Sequence, residues 1–276
     1  DFIKETPKEI KEYKNSNIKK YIFDRNVNDY VIYSEKNKDE DTFKKEYPAV
    51  YNHLLKYKEL LIKIRLRNKE NIEYWFTLDR PREKEIFDNE KIISPQRSYS
   101  NTFAYTDEPM YASADVYFIT KPTGYYLKFI LAILNSKLIF TWLFNRGKRK
   151  GAMLELYQEP LSQIPIIKNV NIEVQNTIII LIDYIIYLKK LEKENYIIEF
   201  FERVIDIAVY ELYFKEELHS KGFGILEVLE SELIPFDNSF ETIDKVYKKL
   251  SDKNHKVAYN VNFIDTLDIV KTIENK

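Results

Sequence analysis

A run of basic residues in the middle of the chain is the first feature that suggests a chemical task. Such side chains neutralise the phosphates of a nucleic acid and release its counterions, while backbone amides near Gly147 and Gly151 can donate hydrogen bonds to the same oxygens. The segment therefore predicts a phosphate-binding loop; a solvated surface loop without a ligand is the alternative. Between Lys137 and Lys150 the basic residues are Lys137, Arg146, Lys148, Arg149 and Lys150, and no acidic residue interrupts them.

A second basic group lies closer to the N-terminus. Arg80 and Arg82 flank Pro81 and follow a stretch rich in Lys and Arg at residues 63–69. We add Arg80 and Arg82 to the predicted phosphate contacts. Charge that is simply solvated near a helix end gives the same pattern, so both interpretations of this group stay open.

Side chains suited to reading the edges of DNA bases are concentrated between Pro95 and Tyr105. In the major groove, Arg pairs with guanine, Gln or Asn pairs with adenine, and Ser accepts several partners. A polar loop in a domain that binds nothing has a similar composition, and this alternative also stays open. The predicted base-reading residues are Gln96, Arg97, Ser98, Tyr99 and Asn101.

The sequence offers no catalytic centre and no metal site. Its five glycines do not form the turn after a strand that lets a backbone approach S-adenosylmethionine, and no Asn/Asp-Pro-Pro-aromatic motif is present. Two Glu-x-Lys pairs, at residues 9–11 and 12–14, resemble half of a nuclease signature, but they lie in a charged, helix-like stretch and favour a solvated face. The histidines His53, His219 and His255 are scattered.

The overall composition is that of a folded protein with a balanced charge. The 276 residues are 45% hydrophobic, contain no Cys and carry a formal net charge of -1, so any contact with DNA must come from local clustering of Lys and Arg. No apolar leader is visible in residues 1–20, and the apolar run at residues 177–188 contains Asp183 and is too short to cross a bilayer. We expect a cytoplasmic protein without membrane segments, cut from a longer chain because it begins without Met.

The elements that must position these residues change character along the chain. Short β-branched and aromatic runs predict strands at residues 30–33, 74–78, 91–94, 102–105 and 116–120. Helical spacing of apolar residues predicts helices at 42–63, with Pro48 in a first turn, and at 125–144. From residue 172 onward the pattern is almost entirely helical, with predicted helices at 174–191, 196–214, 226–233, 240–250 and 263–273. The expected fold is α+β, with a mixed domain at 1–167 followed by an all-α domain at 168–276.

The order of these short motifs resembles the TaqI-like C-terminal specificity domain, which follows the adenine-N6 methyltransferase domain in type IIG restriction-modification enzymes. The resemblance spans roughly residues 15–167, and the helical remainder is similar to the tail that follows this domain. The matching segments are Ile18–Tyr21, Tyr30–Tyr33, Tyr47–Leu54, Arg65, Trp75, Lys91–Pro95, Phe103–Tyr105, Tyr111–Thr120, Leu134–Leu138 and Ile164–Ile166.

This resemblance implies a division of labour. A catalytic domain outside the chain would bind S-adenosylmethionine and flip the target adenine, and a requirement of that domain for Mg²⁺ stays open. This domain would bind double-stranded DNA and select the sequence. The expected partners are thus a DNA duplex and the N-terminal methyltransferase or endonuclease domains of the same polypeptide. Two alternatives remain: an autonomous metal-dependent nuclease, and a helical protein-interaction module of a restriction-modification complex.

Overall fold

The computed structural model describes residues 12–27, 30–34, 39–78, 81–120, 122–192 and 195–274. The chain forms two compact units that alternate along the sequence. The first unit comprises residues 1–13, 26–89 and 108–113, and the second comprises residues 14–25, 90–107 and 114–276.

The first unit consists of short helices and one small parallel sheet. Its helices are α1 (Glu40–Glu46), α2 (Pro48–Leu55), α3 (Lys58–Asn68) and α4 (Lys84–Asp88), and strand β1 (Glu12–Tyr13) pairs with β5 (Tyr111–Ala112). Its core is aromatic, and the carboxylate of Glu40 accepts hydrogen bonds from the side chains of Tyr51 at 2.8 Å and Trp75 at 3.0 Å. The buried core residues are Phe43, Val50, Tyr51, Trp75 and Phe76.

Three predictions for this unit are wrong. The helix predicted at 42–63 is three helices; the residue before a proline avoids the α-helical region, so α1 ends at Glu46 and Pro48 begins α2. The predicted strand at 74–78 is a turn held by the buried Arg65, which donates to the carbonyl oxygens of Thr77 at 2.7 Å and Leu78 at 3.2 Å. The run at 30–33 is also not a strand, since only Tyr30 forms a bridge.

The second unit holds two three-stranded sheets, ten α-helices and two short 3-10 helices among its described residues. One sheet has the order β4-β2-β6, with β2 at Lys91–Pro95, β4 at Ala104–Thr106 and β6 at Val116–Ile119, all antiparallel. The other has the order β3-β8-β7, with β3 at Arg97–Ser98, β7 at Arg149–Lys150 and β8 at Met153–Glu155. The strands predicted at 91–94, 102–105 and 116–120 are confirmed within two residues.

Helices make up most of the second unit. Their bounds are α5 Leu127–Leu134, α6 Lys137–Arg146, α7 Gln158–Ser162, α8 Ile172–Leu191, α9 Asn195–Tyr213, α10 Lys215–Ser220, α11 Leu226–Glu232, α12 Phe240–Leu250, α13 Lys256–Phe263 and α14 Asp268–Glu274. The chain is therefore α+β with a helical C-terminal region, as expected. The predicted boundary between residues 167 and 168 falls inside this unit and stays a prediction about domain organisation.

The helix predicted at 125–144 is interrupted. Helices α5 and α6 are bent by 64° at Asn135 and Ser136, because Ser136 caps the N-terminus of α6 through a hydrogen bond from the amide of Ile139. In the described part of the chain no single helix is long and apolar enough to cross a membrane, and α5 with α6 reaches that length and composition only as a bent pair.

The N-terminus of α6 is held by a buried carboxylate from α9. The amide of Lys137 donates to Oδ1 of Asp206 at 2.8 Å, and Asp206 is 6% exposed. Burial raises the pKa of Asp206 to about 6, although the Lys137 amide and the charges of Lys20, Lys137 and Arg203 favour its ionised form.

Stability should therefore depend on the ionisation of Asp206. The pKa of Asp206 is about 6 in the folded protein and 3.8 ordinarily, so ionisation of this carboxyl group lowers the free energy of unfolding. This loss of stability is absent well below pH 4 and complete above about pH 6. Asp206→Asn keeps an oxygen acceptor for Lys137 but cannot ionise. We expect its free energy of unfolding, relative to that of the unaltered protein, to increase by about 1–3 kcal/mol as the pH rises from 4 to 7. Urea unfolding followed by circular dichroism measures this difference.

The control for that experiment is Asp268→Asn, since the Asp268 side chain is 97% exposed. An Asp206→Asn difference that stays constant from pH 4 to pH 7 would contradict the assigned cost of burying the carboxylate.

Candidate nucleic-acid interface

The small sheet β3-β8-β7 joins the two segments with the strongest predicted roles. Arg97 lies opposite Glu155, Ser98 lies opposite Leu154, and Leu154 lies opposite Arg149 in an antiparallel register. The base-reading segment thus contributes one edge strand, the basic segment contributes the other edge strand, and β8 lies between them. Arg97 and Glu155, 58 positions apart in sequence, become neighbours on one surface.

Two glycines make this arrangement possible. Gly147 ends α6, where its amide donates to the carbonyl oxygen of Leu143, and a Cβ at Gly147 would lie 2.6 Å from that oxygen. Gly151 has a φ of +61° and begins the two-residue turn between β7 and β8, a conformation that favours glycine. Helix α6 therefore runs directly into a tight hairpin.

The pleat of β8 separates its side chains onto two faces. Leu154 is 1% exposed and points into the core, so Met153 and Glu155 lie on the opposite, outer face. Arg97 and Lys150, their partners across the sheet, share that face. The amide of Glu155 donates to the carbonyl oxygen of Lys148 at 2.9 Å, so the pairing of β7 with β8 extends to these two residues. Because paired residues share a face, Lys148 also lies on the outer face.

Arg97 is held through both its side chain and its backbone. Its Nε lies 3.1 Å from Oε1 of Glu155, and its backbone is fixed by the side chain of Asn15, which accepts from the Arg97 amide at 3.2 Å and donates to its carbonyl oxygen at 3.1 Å. A defined backbone and a defined side-chain direction are what specific recognition requires.

The neighbours of Arg97 differ in their exposure. Gln96 is half-buried, and its backbone bonds with Asp115 and Leu156, both at 2.8 Å, tie it to the rest of the unit. The Ser98 hydroxyl lies 2.8 Å from that of Thr102. Tyr99 is 70% exposed and available to a ligand.

Asn101 has a different position. It is 5% exposed, and its Nδ2 donates to the carbonyl oxygens of Leu134 at 2.7 Å and Ser136 at 2.8 Å, at the break between α5 and α6. Both hydrogens of its amide are used inside the fold, which argues against the predicted base-reading role. We assign Asn101 to positioning of the loop.

Asn135 completes this contact from the other side. Its Oδ1 accepts from the amide of Phe103 at 3.1 Å, and its Nδ2 donates to the carbonyl oxygen of Phe103 at 2.9 Å. Asn101 and Asn135 thus satisfy the backbone of each other's segment, and we call this pair the asparagine clasp. It ties the base-reading segment to the helix break.

The basic residues do not form a single cluster. Lys137 begins α6 and Arg146 ends it, about 14 Å away along the helix axis, and Lys137 Nζ lies 3.1 Å from Glu274 in α14. Lys137 therefore lies apart from the loop in which it was predicted. The four remaining residues of the segment, which we call the basic hairpin group, are exposed: Arg146, Lys148, Arg149 and Lys150.

Two members of the basic hairpin group already contact other side chains. Lys148 pairs with Glu159, and the hydrogen bond to that carboxylate raises the pKa of Lys148. The guanidinium carbon of Arg149 lies 4.3 Å from the centre of the Phe144 ring, a cation–π distance. Arg82 belongs to the first unit, where its Nη2 lies 3.4 Å from the carbonyl oxygen of Ser113, and Arg80 lies outside the described residues.

Residues with possible catalytic chemistry are placed differently from the sequence-based expectation. Glu12 lies in strand β1 and not in a helix-like stretch, and the pair at residues 9–11 lies outside the described residues. His219 pairs with Glu211, and His255 pairs with Glu232 while capping α13. Over the described ranges, no group of three His, Cys, Asp or Glu residues has a geometry that could hold a metal ion.

The decisive comparison is with protein families. The model of the TaqI-like C-terminal specificity domain matches residues 10–166, more than half of the chain. This chain belongs to that family. The family assignment made from short motifs is confirmed, and the matched range contains the clasp, α6 and the whole β3-β8-β7 sheet.

Relatives of this specificity domain are type II methyltransferases. M.MjaIV of Methanocaldococcus jannaschii is 29% identical over 205 residues, which are 71% of this chain and 65% of the relative. M.HincII of Haemophilus influenzae is 31% identical over 137 residues, 46% of this chain and 27% of the relative. The chain thus spans less than two thirds of the length of either enzyme.

A solved structure shares the fold. The specificity domain matches the type IIL restriction-modification enzyme MmeI, determined in complex with DNA, with a TM-score of 0.56 and 14% identity. The match covers 87% of this chain and 31% of MmeI. It extends the structural likeness beyond residues 10–166 to include helices of the C-terminal region.

Sequence reasoning missed Asn15, Asn135 and Glu155 as site residues. Asn15 and Asn135 act on backbone atoms far away in sequence, and no local pattern marks such contacts. Glu155 does carry a signal, because it alternates with the apolar Leu154 and Leu156 directly after the basic run.

The asparagine clasp should contribute strongly to the stability of the specificity domain. We expect Asn135→Ala to lower the free energy of unfolding by about 1–3 kcal/mol, because the buried amide of Phe103 loses its partner, whereas its carbonyl oxygen still accepts from the Tyr21 amide at 2.7 Å. Urea unfolding measures the loss. Asn145→Ala is the matched control, since the Asn145 amide is exposed and donates only to Thr141 within its own helix. Equal effects of the two substitutions would contradict the role of the clasp.

Proposed function

We propose that this specificity domain binds double-stranded DNA through the β3-β8-β7 sheet and selects the target sequence of a type II restriction-modification methyltransferase. The single observation that carries the proposal is that β8 pairs with both the base-reading strand and the basic strand. The family membership and the DNA-bound MmeI structure support it. A two-stranded ribbon is of a size that the major groove of B-DNA admits, and the three strands here are only two or three residues long.

The surface separates two kinds of DNA contact. Lys148 and Lys150 lie on the outer face, and the exposed Arg146 lies at the end of α6, where cationic side chains meet phosphates and fix the register without reading sequence. Arg97 lies on the same face of the opposite edge strand, and the exposed Tyr99 lies in the loop that follows it, which favours these two as the residues that read bases. Gln96, Ser98 and Arg149 alternate to the face of Leu154 and stay predictions.

The methyl donor belongs to another part of the enzyme in this proposal. Gly222 and Gly224 lie between α10 and α11, and a Cβ at Gly224 would lie 2.8 Å from His219 Nε2. The cavity that the two glycines line has a volume of about 100 Å³, below the roughly 300–1,000 Å³ of pockets that hold small molecules. These residues do not fit S-adenosylmethionine. We place the donor, adenine-N6 methylation and any Mg²⁺-dependent cleavage in catalytic domains of the same polypeptide, as in a cytoplasmic type IIG enzyme.

Removing the basic hairpin group should weaken DNA binding and reduce its salt dependence. Each phosphate contact contributes about 0.9 to the slope of log K against log salt, so changing all four residues to Ala should reduce that slope by about 2–4. Fluorescence anisotropy with a labelled duplex between 50 and 300 mM salt measures both affinity and slope.

The matched control removes four positive charges from the second unit at another helix. Lys245, Lys248, Lys249 and Lys253, all exposed on or just after α12, are changed to Ala. We expect a much smaller change in slope. If both quadruple variants bind alike, net charge and not the hairpin governs binding.

Transfer of the domain should transfer the target sequence. In the test, the specificity domain of a related type II methyltransferase is replaced by this chain. We expect the fusion protein to methylate a new set of adenines. The reason is that base readout lies in this domain while methyl transfer lies outside it. Sequencing that detects methylated adenine in plasmid DNA identifies the sites. An active fusion that retains the original target sequence would contradict the proposal.

A further inference from the structure

Glu155 is an unexpected residue on the outer face of the sheet. A carboxylate facing DNA repels the phosphates, yet Glu155 lies in the central strand between Arg97 on one side and Lys148 on the other. Its side chain is 15% exposed and is held against Arg97, with 3.1 Å between Nε and Oε1. A general phosphate-binding surface has no use for an acidic group at its centre, whereas base recognition does.

The pair presents donors and an acceptor side by side. The ion pair uses Nε of Arg97, which leaves Nη1 and Nη2 to donate, and the Glu155 carboxylate to accept beside them. The major-groove edge of a G·C pair presents the complementary order: the acceptors N7 and O6 of guanine, followed by the N4 amino donor of cytosine.

We propose that Arg97 and Glu155 together read one G·C base pair, with Arg97 donating to N7 and O6 of guanine and Glu155 accepting from N4 of the paired cytosine. This inference rests on the proposed function and assigns Glu155 as a specificity-determining residue. The contact between the two side chains is maintained in the complex, so the reading pair is arranged before DNA binds.

The other base pairs are rejected by mismatched groups. An A·T pair places its N6 amino donor against the Arg97 guanidinium and its O4 acceptor against the Glu155 carboxylate. A C·G pair presents the right groups in the reverse order. We expect a preference of about 10- to 100-fold for G·C at this one position.

The surrounding structure supports a fixed reading direction. Asn15 holds the backbone of Arg97 at both its amide and its carbonyl, and the burial of Leu154 anchors the strand that carries Glu155. Lys148 and Lys150 share the outer face and lie on the far strand, where phosphates can be reached while the pair faces the bases.

A charge exchange tests the inference without removing the ion pair. The unaltered chain and the double variant Arg97→Glu/Glu155→Arg are each bound to a randomised duplex library, and the retained DNA is sequenced. We expect the unaltered chain to select a motif with one G·C position that the variant inverts to C·G, while the other positions stay unchanged. The variant Glu155→Gln, which is nearly isosteric, should relax selection at that position alone.

Three outcomes distinguish the possibilities. Inversion or relaxation at one position supports the inference. A motif that is unchanged in both variants, with circular dichroism showing that both are folded, overturns the inference and leaves the proposed function intact. No enriched motif for the unaltered chain, even though it binds DNA, overturns sequence selection by this chain and with it the role of the pair.

Discussion

The asparagine clasp is the contact on which the geometry of the interface depends. Asn101 satisfies carbonyl groups at the break between α5 and α6, and Asn135 satisfies the backbone of Phe103 in return. Both side chains are at most 5% exposed, so a lost partner could not be replaced by bulk water. The clasp fixes where the base-reading segment ends and where α6 begins. From the clasp the chain continues through α6 and the hairpin to β8. Strand β8 then pairs with β3, the strand that precedes Asn101 in the base-reading segment.

The ion pairs of this region differ in how easily they can exchange partners. Lys148 and Glu159 are both about half exposed, and such a pair contributes little to stability and is weakened by salt. Lys148 can therefore leave Glu159 for a phosphate at small cost. Arg97 and Glu155 are less exposed, and backbone contacts with Asn15 hold Arg97 in place. Exchangeable charge suits phosphate binding, whereas fixed charge suits reading of bases.

The sequence predicted the elements whose signal is local. Strands β2, β4 and β6 lie in runs of β-branched and aromatic residues, and the long helices α8 and α9 span enough residues to show a helical period. Strands β3, β7 and β8 have two or three residues, too few to show alternation, and they exist through pairing with distant partners. The helix break at Asn135 and Ser136 was present in the sequence as a polar pair with a capping serine inside an apolar run.

Proximity in sequence was the least reliable guide to the site. Lys137 was grouped with the hairpin because few residues separate them, yet a helix of ten residues carries it to the opposite end. Asn101 was grouped with the base readers by residue type, yet its neighbours are the carbonyl groups of a helix break. In both cases the position of the side chain depended on tertiary contacts that residue type and sequence spacing do not show.

The C-terminal helices hold the first residue of α6 through two carboxylates. The amide of Lys137 is capped by Asp206 of α9, and its ammonium group pairs with Glu274 of α14. Burial alone would raise the pKa of Glu274, but the hydrogen bonds and charges of Arg203 and Lys137 lower it to about 2, so the carboxylate stays ionised at the end of α6. Glu274 and Arg203 are held inside the fold, and the half-exposed Lys137 is engaged with Glu274. These contacts supply a fixed origin for α6, whose other end carries the basic hairpin group. The C-terminal helices therefore help to determine where the hairpin lies, because any shift of α6 would displace it.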